Sequence, residues 1–181
     1  MYNTEKGGLK NVILIGFMAS GKSSVGRVLA RELGWAFLDT DSEIEQVTGL
    51  KIPDLFQKYG EVRFRSEENL MVKKLRNVSH TVIATGGGTV LSAENRELLG
   101  EMGMMIHLYA PLDVALQRVK RRQDRPLLNK SFQEIEKLWQ ERLTIYQQAP
   151  ITIDTSVKDI EEIAGEILAI VKGGNPHDTE N

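Results

Sequence analysis

The sequence contains no cysteine, which excludes a disulfide framework, a thiolate metal site and a thiol nucleophile. Any chemistry must therefore come from oxygen and nitrogen groups. No apolar run approaches the ~20 residues that a membrane-crossing helix needs. The opening stretch Met1 to Lys10 is polar and lacks the apolar centre of a secretion signal, so a cytoplasmic protein without a membrane partner is expected. Charge of one sign is also missing: 23 Lys and Arg against 25 Asp and Glu leave a net charge of -2. That balance gives no whole-molecule attraction to nucleic acid, and anions must be bound by local clusters. Histidine is scarce, and His80, His107 and His177 show no metal-site spacing.

What is present is ordinary for a soluble globular chain of 181 residues, 41% hydrophobic and 27% charged. Short apolar runs rich in β-branched residues recur at Val12 to Ile15, Ala36 to Leu38, Thr81 to Ala84, Met104 to Leu108 and Ile151 to Ile153, each separated by a helical pattern. Such alternation predicts one α/β domain with a parallel sheet covered on both faces. Ser131 with Glu134 and Ser156 with Asp159 read as N-terminal capping pairs, and Pro111 suits a first helical turn. The domain is expected to span 1–172. The breakers and polar groups of 173–181 read as a flexible tail.

The run Gly16-Phe17-Met18-Ala19-Ser20-Gly21-Lys22-Ser23 lies directly between a buried-strand pattern and the helical pattern Val25 to Leu33. Glycines there let backbone N–H groups turn inward around a pyrophosphate, and the following helix directs its positive end at the same anion. Lys22 then reaches the terminal phosphates, and the Ser23 hydroxyl can ligate Mg2+. An ordinary glycine turn is the weaker alternative in that setting.

Further groups gather after other strands, where open α/β sheets bind ligands. Asp39-Thr40-Asp41 closes the second strand with two carboxylates that can serve distinct targets, a metal and a substrate. Solvated turn carboxylates are the bland reading. Thr85-Gly86-Gly87-Gly88 closes the third strand and lets a small ligand approach the main chain, unless it is simply a turn. Between about Glu61 and Asn77, the stripe Phe64, Met71, Leu75 and Val78 carries Glu68 in its middle and Arg65 one turn earlier. Arg142 interrupts the stripe Ile135, Leu138, Trp139, Ile145 and Tyr146. A half-buried charge needs a partner: Glu68 can hold Arg65, whereas the partner of Arg142 must be distant or a ligand. Two arginines converging on one pocket would suit a substrate carboxylate. Arg118, Lys120, Arg121, Arg122 and Arg125 form either a solvated helix end or a lid that carries a cation to a transferring phosphoryl group.

Taken together, Gly-Phe-Met-x-x-Gly-Lys-Ser, Phe37-Leu38-Asp39-Thr40-Asp41 followed by Ile44-Glu45, Phe64-Arg65 with Glu68, Gly86-Gly87-Gly88 and Arg125-Pro126-Leu127-Leu128 resemble shikimate kinase, over Lys10 to Lys172. The resemblance implies a three-layer P-loop kinase fold of the nucleoside-monophosphate-kinase type. It has a five-stranded parallel sheet, a substrate-binding region at about 41–77 and a lid at about 119–131. It implies ATP-dependent phosphorylation of the 3-hydroxyl of shikimate in aromatic amino-acid biosynthesis, with ATP and Mg2+ as cofactors. No long exposed apolar stripe argues for a dimer, so a monomer is expected.

Carried over by position, Gly16, Ala19, Ser20, Gly21, Lys22, Ser23 and Ser24 would wrap the ATP phosphates, with Ser23 and Asp39 arranging Mg2+. Asp41 would hold the ring hydroxyls and accept the attacking proton. Arg65 and Arg142 would bind the carboxylate, Glu68 would orient Arg65, and Gly86, Gly87 and Gly88 would line the pocket. Arg125 would contact the phosphates as the lid arginine, and Arg118 would stack near adenine. Lys22, Asp41 and Arg125 would form the catalytic set. The sequence departs from the family at Ala19, where a glycine is usual; a positive φ there would cost about 1 kcal/mol. Another small-metabolite kinase of this fold, such as a gluconate kinase, is the alternative within enzymes. A GTPase-like switch is disfavoured, because Asn129-Lys130-Ser131-Phe132 lacks the Asp of a guanine-reading motif and no Asp-x-x-Gly occurs.

Overall fold

A computed structural model describes residues 9–120 and 131–173 of the chain. Its centre is β1 (Asn11–Ile15), fully buried and, after Asn11, a run of β-branched and apolar residues. Such a strand is stable only with cover on both faces. It pairs in parallel with β3 (Thr81–Ala84) on one side and β4 (Met104–Tyr109) on the other. Beyond these lie β2 (Ala36–Asp39) and β5 (Ile151–Asp154), also parallel. The order is β2-β3-β1-β4-β5, and the strands fall at the five apolar runs expected to form a parallel sheet.

Alternation along β1 sends successive side chains to opposite faces. Val12 and Leu14 join a core with Val25, Leu29, Ile163 and Ile167, contributed by α1 (Lys22–Leu33) and α7 (Ile160–Val171). Ile13 and Ile15 join the other core with Phe64, Met71, Leu99 and Ile135. That face is covered by α3 (Ile52–Lys74), α4 (Ala93–Met102) and α6 (Phe132–Tyr146). Two shorter helices, α2 (Thr40–Thr48) and α5 (Leu112–Lys120), complete the layers. None of the described helices is long and apolar enough to cross a membrane.

Local chemistry sets the helix boundaries. Ser131 and Glu134 form the expected reciprocal capping box at the start of α6. The expected pair Ser156 and Asp159 is corrected: α7 is capped by Asp159, which exchanges hydrogen bonds with Glu162. An Asp-x-x-Glu pair can satisfy two orphan N–H groups reciprocally, and Ser156 instead donates its N–H to Asp154 in the preceding turn. The helix expected from about Glu61 begins there: α3 runs from Ile52 but is broken at Gly60, whose φ of 77° and ψ of 176° are non-helical, so the charged stripe lies wholly in its second half. A glycine adopts that geometry without a Cβ penalty. After the break the second half of α3 re-aims Arg65 and Glu68 at the C-terminal edge of the sheet.

Candidate active site

Three turns meet beyond the carboxyl ends of β1, β2 and β3. After β1 the chain passes through Gly16 (φ 145°), Ala19 (φ 56°) and Gly21 (φ 98°) before α1 opens at Lys22. A Cβ on Gly16 would lie 2.5 Å from the Leu108 carbonyl oxygen, so this position requires glycine on space alone. No side chain caps α1, and its first turn, which includes Ser23 and Ser24, carries no acidic residue. Helix N-termini so arranged direct N–H groups and a positive dipole end at an anion. Lys22 is buried and its ammonium donates to the carbonyls of Gly16 and Phe17, each at 2.8 Å. Ser20 is fully buried, and its hydroxyl oxygen has no hydrogen-bond partner among the described residues.

The left-handed φ of Ala19 meets the condition set by its departure from the family pattern. An L-residue there costs about 1–2 kcal/mol, against about 0.4–1 kcal/mol of unfolded-chain entropy that a glycine adds. Ala19→Gly is therefore expected to stabilise by roughly 0.5–1 kcal/mol, a rise of about 1–4 °C in Tm. Differential scanning calorimetry measures this directly, and a lowered Tm would show that the loop holds Ala19 without strain.

Asp39 ends β2 and caps α2, its Oδ1 accepting the N–H groups of Asp41 and Ser42 at 3.1 and 3.3 Å. Its other oxygen accepts the Ser23 hydroxyl at 2.6 Å. Cap and hydroxyl together hold a carboxylate and an alcohol oxygen side by side at the mouth of the loop. Among the described residues no cluster of three or more His, Asp or Glu could enclose a metal. That donor set fits Mg2+, which keeps waters and phosphate oxygens and takes one or two protein oxygens. Asp41 lies in the first turn of α2 rather than in the strand. Its carboxylate packs on Gly86 so closely that a Cβ there would collide with Oδ1. Thr40 fixes the same glycine by accepting its N–H at 2.8 Å.

Arg65 and Glu68 form the expected pair, Nη1 to Oε2 at 2.5 Å. Glu68 is 2% exposed, and its second oxygen accepts the Thr89 hydroxyl at 2.8 Å, so both carboxylate oxygens are satisfied. Glu61 accepts from Nε and Nη2 of Arg65 at 3.2 and 2.9 Å. Burial works against the Arg65 charge, but the Glu68 and Glu61 carboxylates outweigh it and hold its pKa above the usual arginine value. The guanidinium lies against Gly88, where any Cβ would strike it.

Arg142 and Tyr146 occupy successive turns of α6. A Cβ built on Gly87 would stand 3.6 Å from Arg142 Nη1, from Tyr146 Oη and from the Gly16 carbonyl oxygen alike. Loop, helix and phosphate-binding turn thus converge on one glycine. The buried Nε of Arg142 makes no hydrogen bond among the described residues, and no acidic partner stands opposite it there. The Tyr146 hydroxyl donates to the Gly87 carbonyl at 2.6 Å. Burial pushes this phenol up to about 12, with the Arg142 charge pulling the other way. Below it, His107 of β4 stacks on the tyrosine ring at 5.3 Å and is lowered to about 4 by burial and then by the Lys22 charge.

Arg118 leaves α5 and donates to Thr155, to Oγ1 at 3.0 Å and to the carbonyl at 2.5 Å, and to Ala19 O at 3.4 Å. It joins the phosphate-binding turn to the end of β5. Arg125 and most of the expected lid lie outside the described residues, as does nearly all of the tail at 173–181. The structure thus brings Lys22, Ser23, Asp39, Asp41, Arg65, Glu68, Arg142 and the three glycines together beyond the carboxyl ends of β1, β2 and β3, and Arg118 reaches the same turn at Ala19. The motifs leave three contributors without a role: Glu61, Thr89 and Tyr146. Glu61 was detectable as an i,i+4 partner of Arg65. Tyr146 reads as one more apolar residue on a helical stripe.

A model of the shikimate kinase family matches residues 18–172. A shikimate kinase of Pelotomaculum thermopropionicum is 43% identical over 169 residues, covering 92% of this chain and 98% of the relative. One of Geobacter sulfurreducens is 42% identical over 165 residues, covering 90% and 91%. Among solved structures, a shikimate kinase from Acinetobacter baumannii in complex with shikimate superposes with a TM-score of 0.87 at 40% identity, covering 94% of this chain and 96% of that one. A gluconokinase from Sinorhizobium meliloti, at 19% identity and a TM-score of 0.59, shares the fold alone.

Proposed function

The chain belongs to the shikimate kinase family, and from that membership we propose that it transfers the terminal phosphoryl group of ATP to the 3-hydroxyl of shikimate. The products are shikimate 3-phosphate and ADP. One observation carries the reading: Asp41, Arg65 and Arg142 each abut a different glycine of Gly86-Gly87-Gly88, and Gly87 also faces the Gly16 carbonyl of the phosphate-binding turn. A carboxylate-bearing alcohol and a triphosphate can therefore lie side by side.

Each residue then has a defined task. The uncapped N-terminus of α1 and the N–H groups of the turn bind the phosphates, and Lys22 exchanges its two carbonyl partners for phosphate oxygens. Ser23 and Asp39 would hold Mg2+, which when bound neutralises phosphate charge. Arg118, braced on Thr155, flanks the nucleotide base. Arg65, held by Glu68 and Thr89, and Arg142 grip the substrate carboxylate. This grip presents the ring hydroxyls to Asp41. As the new O–P bond forms and the bond to the ADP oxygen breaks, Asp41 takes the hydroxyl proton, and Lys22 together with Arg125 stabilises the charge on the transferring group.

ADP release in a coupled assay, with shikimate, with gluconate and with neither, tests the assignment. Turnover that requires shikimate is expected; equal rates without it would refute the reading. Arg142→Ala should raise the shikimate KM by about 10–100-fold, the loss of a charge-assisted hydrogen-bond pair, while kcat falls less. An unchanged KM would remove Arg142 from the carboxylate site.

A further inference from the structure

We propose that Tyr146 is a positioning residue for substrate binding, whose buried hydroxyl locks the Gly87 carbonyl and thereby fixes the glycine turn against Arg142. The inference rests on the phosphoryl-transfer reading above and extends it to a residue that never has to touch the substrate.

The need for such an anchor follows from the turn itself. Consecutive glycines have the widest backbone freedom of any residues, and none of Gly86, Gly87 and Gly88 is held in a left-handed conformation. A binding surface made of them needs fixing from outside. Gly86 is tied by its N–H to Thr40 Oγ1 at 2.8 Å and by its carbonyl to Thr89 N at 3.2 Å, and Gly88 by its carbonyl to Leu91 N at 3.0 Å. For Gly87 the tie comes from another helix, through Tyr146 Oη at 2.6 Å. In a trans peptide the C=O and the following N–H point in opposite directions. Holding the Gly87 carbonyl toward α6 therefore turns the Gly88 N–H away from Tyr146.

Tyr146 is suited to the task. It is 1% exposed, its ring stacks on His107 of β4 at 29° between planes, and its hydroxyl is placed by the bond to the Gly87 carbonyl. It lies one turn after Arg142 on the same face of α6. The residue that fixes Gly87 thus shares an element with the arginine 3.6 Å from the built Gly87 Cβ. The Tyr146 hydroxyl, bonded to the Gly87 carbonyl and beside the Arg142 guanidinium, sets the spacing between turn and guanidinium.

Tyr146→Phe removes the hydroxyl and keeps the ring and its stacking. The expected result is a shikimate KM about five- to tenfold higher, with the ATP KM unchanged and kcat reduced less than threefold. His107→Gln serves as the packing control: it removes the stacked ring beneath Tyr146, should lower Tm, and should move the shikimate KM less than twofold. A Tyr146→Phe enzyme with unaltered shikimate KM overturns the proposal, as does a rise in both substrate KM values together. An equal KM rise in His107→Gln, which leaves the Tyr146 hydroxyl in place, would reduce Tyr146 to packing and overturn the proposal. Wild-type protein that fails to phosphorylate shikimate would overturn the underlying reading and this inference with it, whereas an active wild type with an indifferent Tyr146→Phe overturns the inference alone.

Discussion

Asp41→Asn is expected to lower kcat for shikimate phosphorylation by about 10²–10⁴-fold, the range that a positioned general base contributes, while the protein folds and binds nucleotide as before. Asparagine matches the shape of the carboxylate that packs on Gly86, so the change removes charge and basicity without opening a cavity or pressing on the turn. Asp41 lies in the first turn of α2, where Asp39 caps the helix with an oxygen on its N–H. The cap is independent of the Asp41 side chain, and helix and strand end should survive. The measurement is ADP release at saturating ATP and shikimate, with calorimetric Tm and nucleotide affinity as controls. A rate within tenfold of wild type would mean that the hydroxyl proton leaves by another route. Gly86→Ala offers a check from the other side of the same contact: the added methyl strikes Asp41 Oδ1 and should impair turnover with Asp41 itself intact.

Asp41 also illustrates which parts of this site the sequence makes legible. Motifs defined by chain-local physics are readable: the phosphate-binding turn needs glycines, a lysine and a helix start at fixed offsets, and β1 reads as a buried strand because both its faces are apolar. The Arg65–Glu68 pair is readable because a three-residue offset on a helix brings the groups together. The arrangement after β3 is different, since three glycines say only that space is needed. Their occupants come from α2, α3 and α6, and sequence separations of more than 20 residues hide which side chain fills which gap. Tyr146 is the clearest instance, for its ring is a core ring and only its final oxygen belongs to the site. The α7 start shows the same limit on a smaller scale. Ser156-x-x-Asp159 and Asp159-x-x-Glu162 overlap, and the competition is decided by which pair can bond in both directions.

The Arg65–Glu68 pair also shows how a buried charge is held. Glu68 is almost wholly enclosed, and an enclosed carboxylate is costly unless each oxygen has a donor. Arg65 and Thr89 supply them. Glu61 meets the opposite edge of the guanidinium from a more exposed position, so under the proposed function it is the acid that a substrate carboxylate would displace. In that reading the enclosed inner partner and the exposed outer one would keep Arg65 in place before and after binding.

Lys22→Ala should reduce phosphorylation to about one-thousandth of the wild-type rate or less, the scale on which a preorganised charge at the reacting centre acts. The ammonium is buried and bonded to the carbonyls of Gly16 and Phe17, which keeps it at the mouth of the turn, poised for the phosphates. Its removal also leaves those carbonyls short of a donor, a cost of about 1–3 kcal/mol if water does not enter. The loss of rate therefore needs a readout that separates charge from collapse of the turn, and His107 supplies one. Its imidazole is held at about 4 by burial first and by the Lys22 charge second. With Lys22 gone, the imidazolium is less disfavoured, and the His107 pKa moves up, remaining below its ordinary value because the burial persists. Protonation is taken up more readily by the unfolded chain, so the neutral, buried His107 contributes stability above pH 6.5 that is lost as pH falls toward 4. Lys22→Ala narrows that gap and should lose less stability than wild type across this window, at about 1.4 kcal/mol for each pKa unit recovered. Proton NMR titration of His107 together with melts between pH 4 and 7 measures both effects. An upward-shifted His107 in a folded, inactive variant would assign the loss to the missing charge, whereas near-normal turnover would overturn the role of Lys22 in phosphoryl transfer.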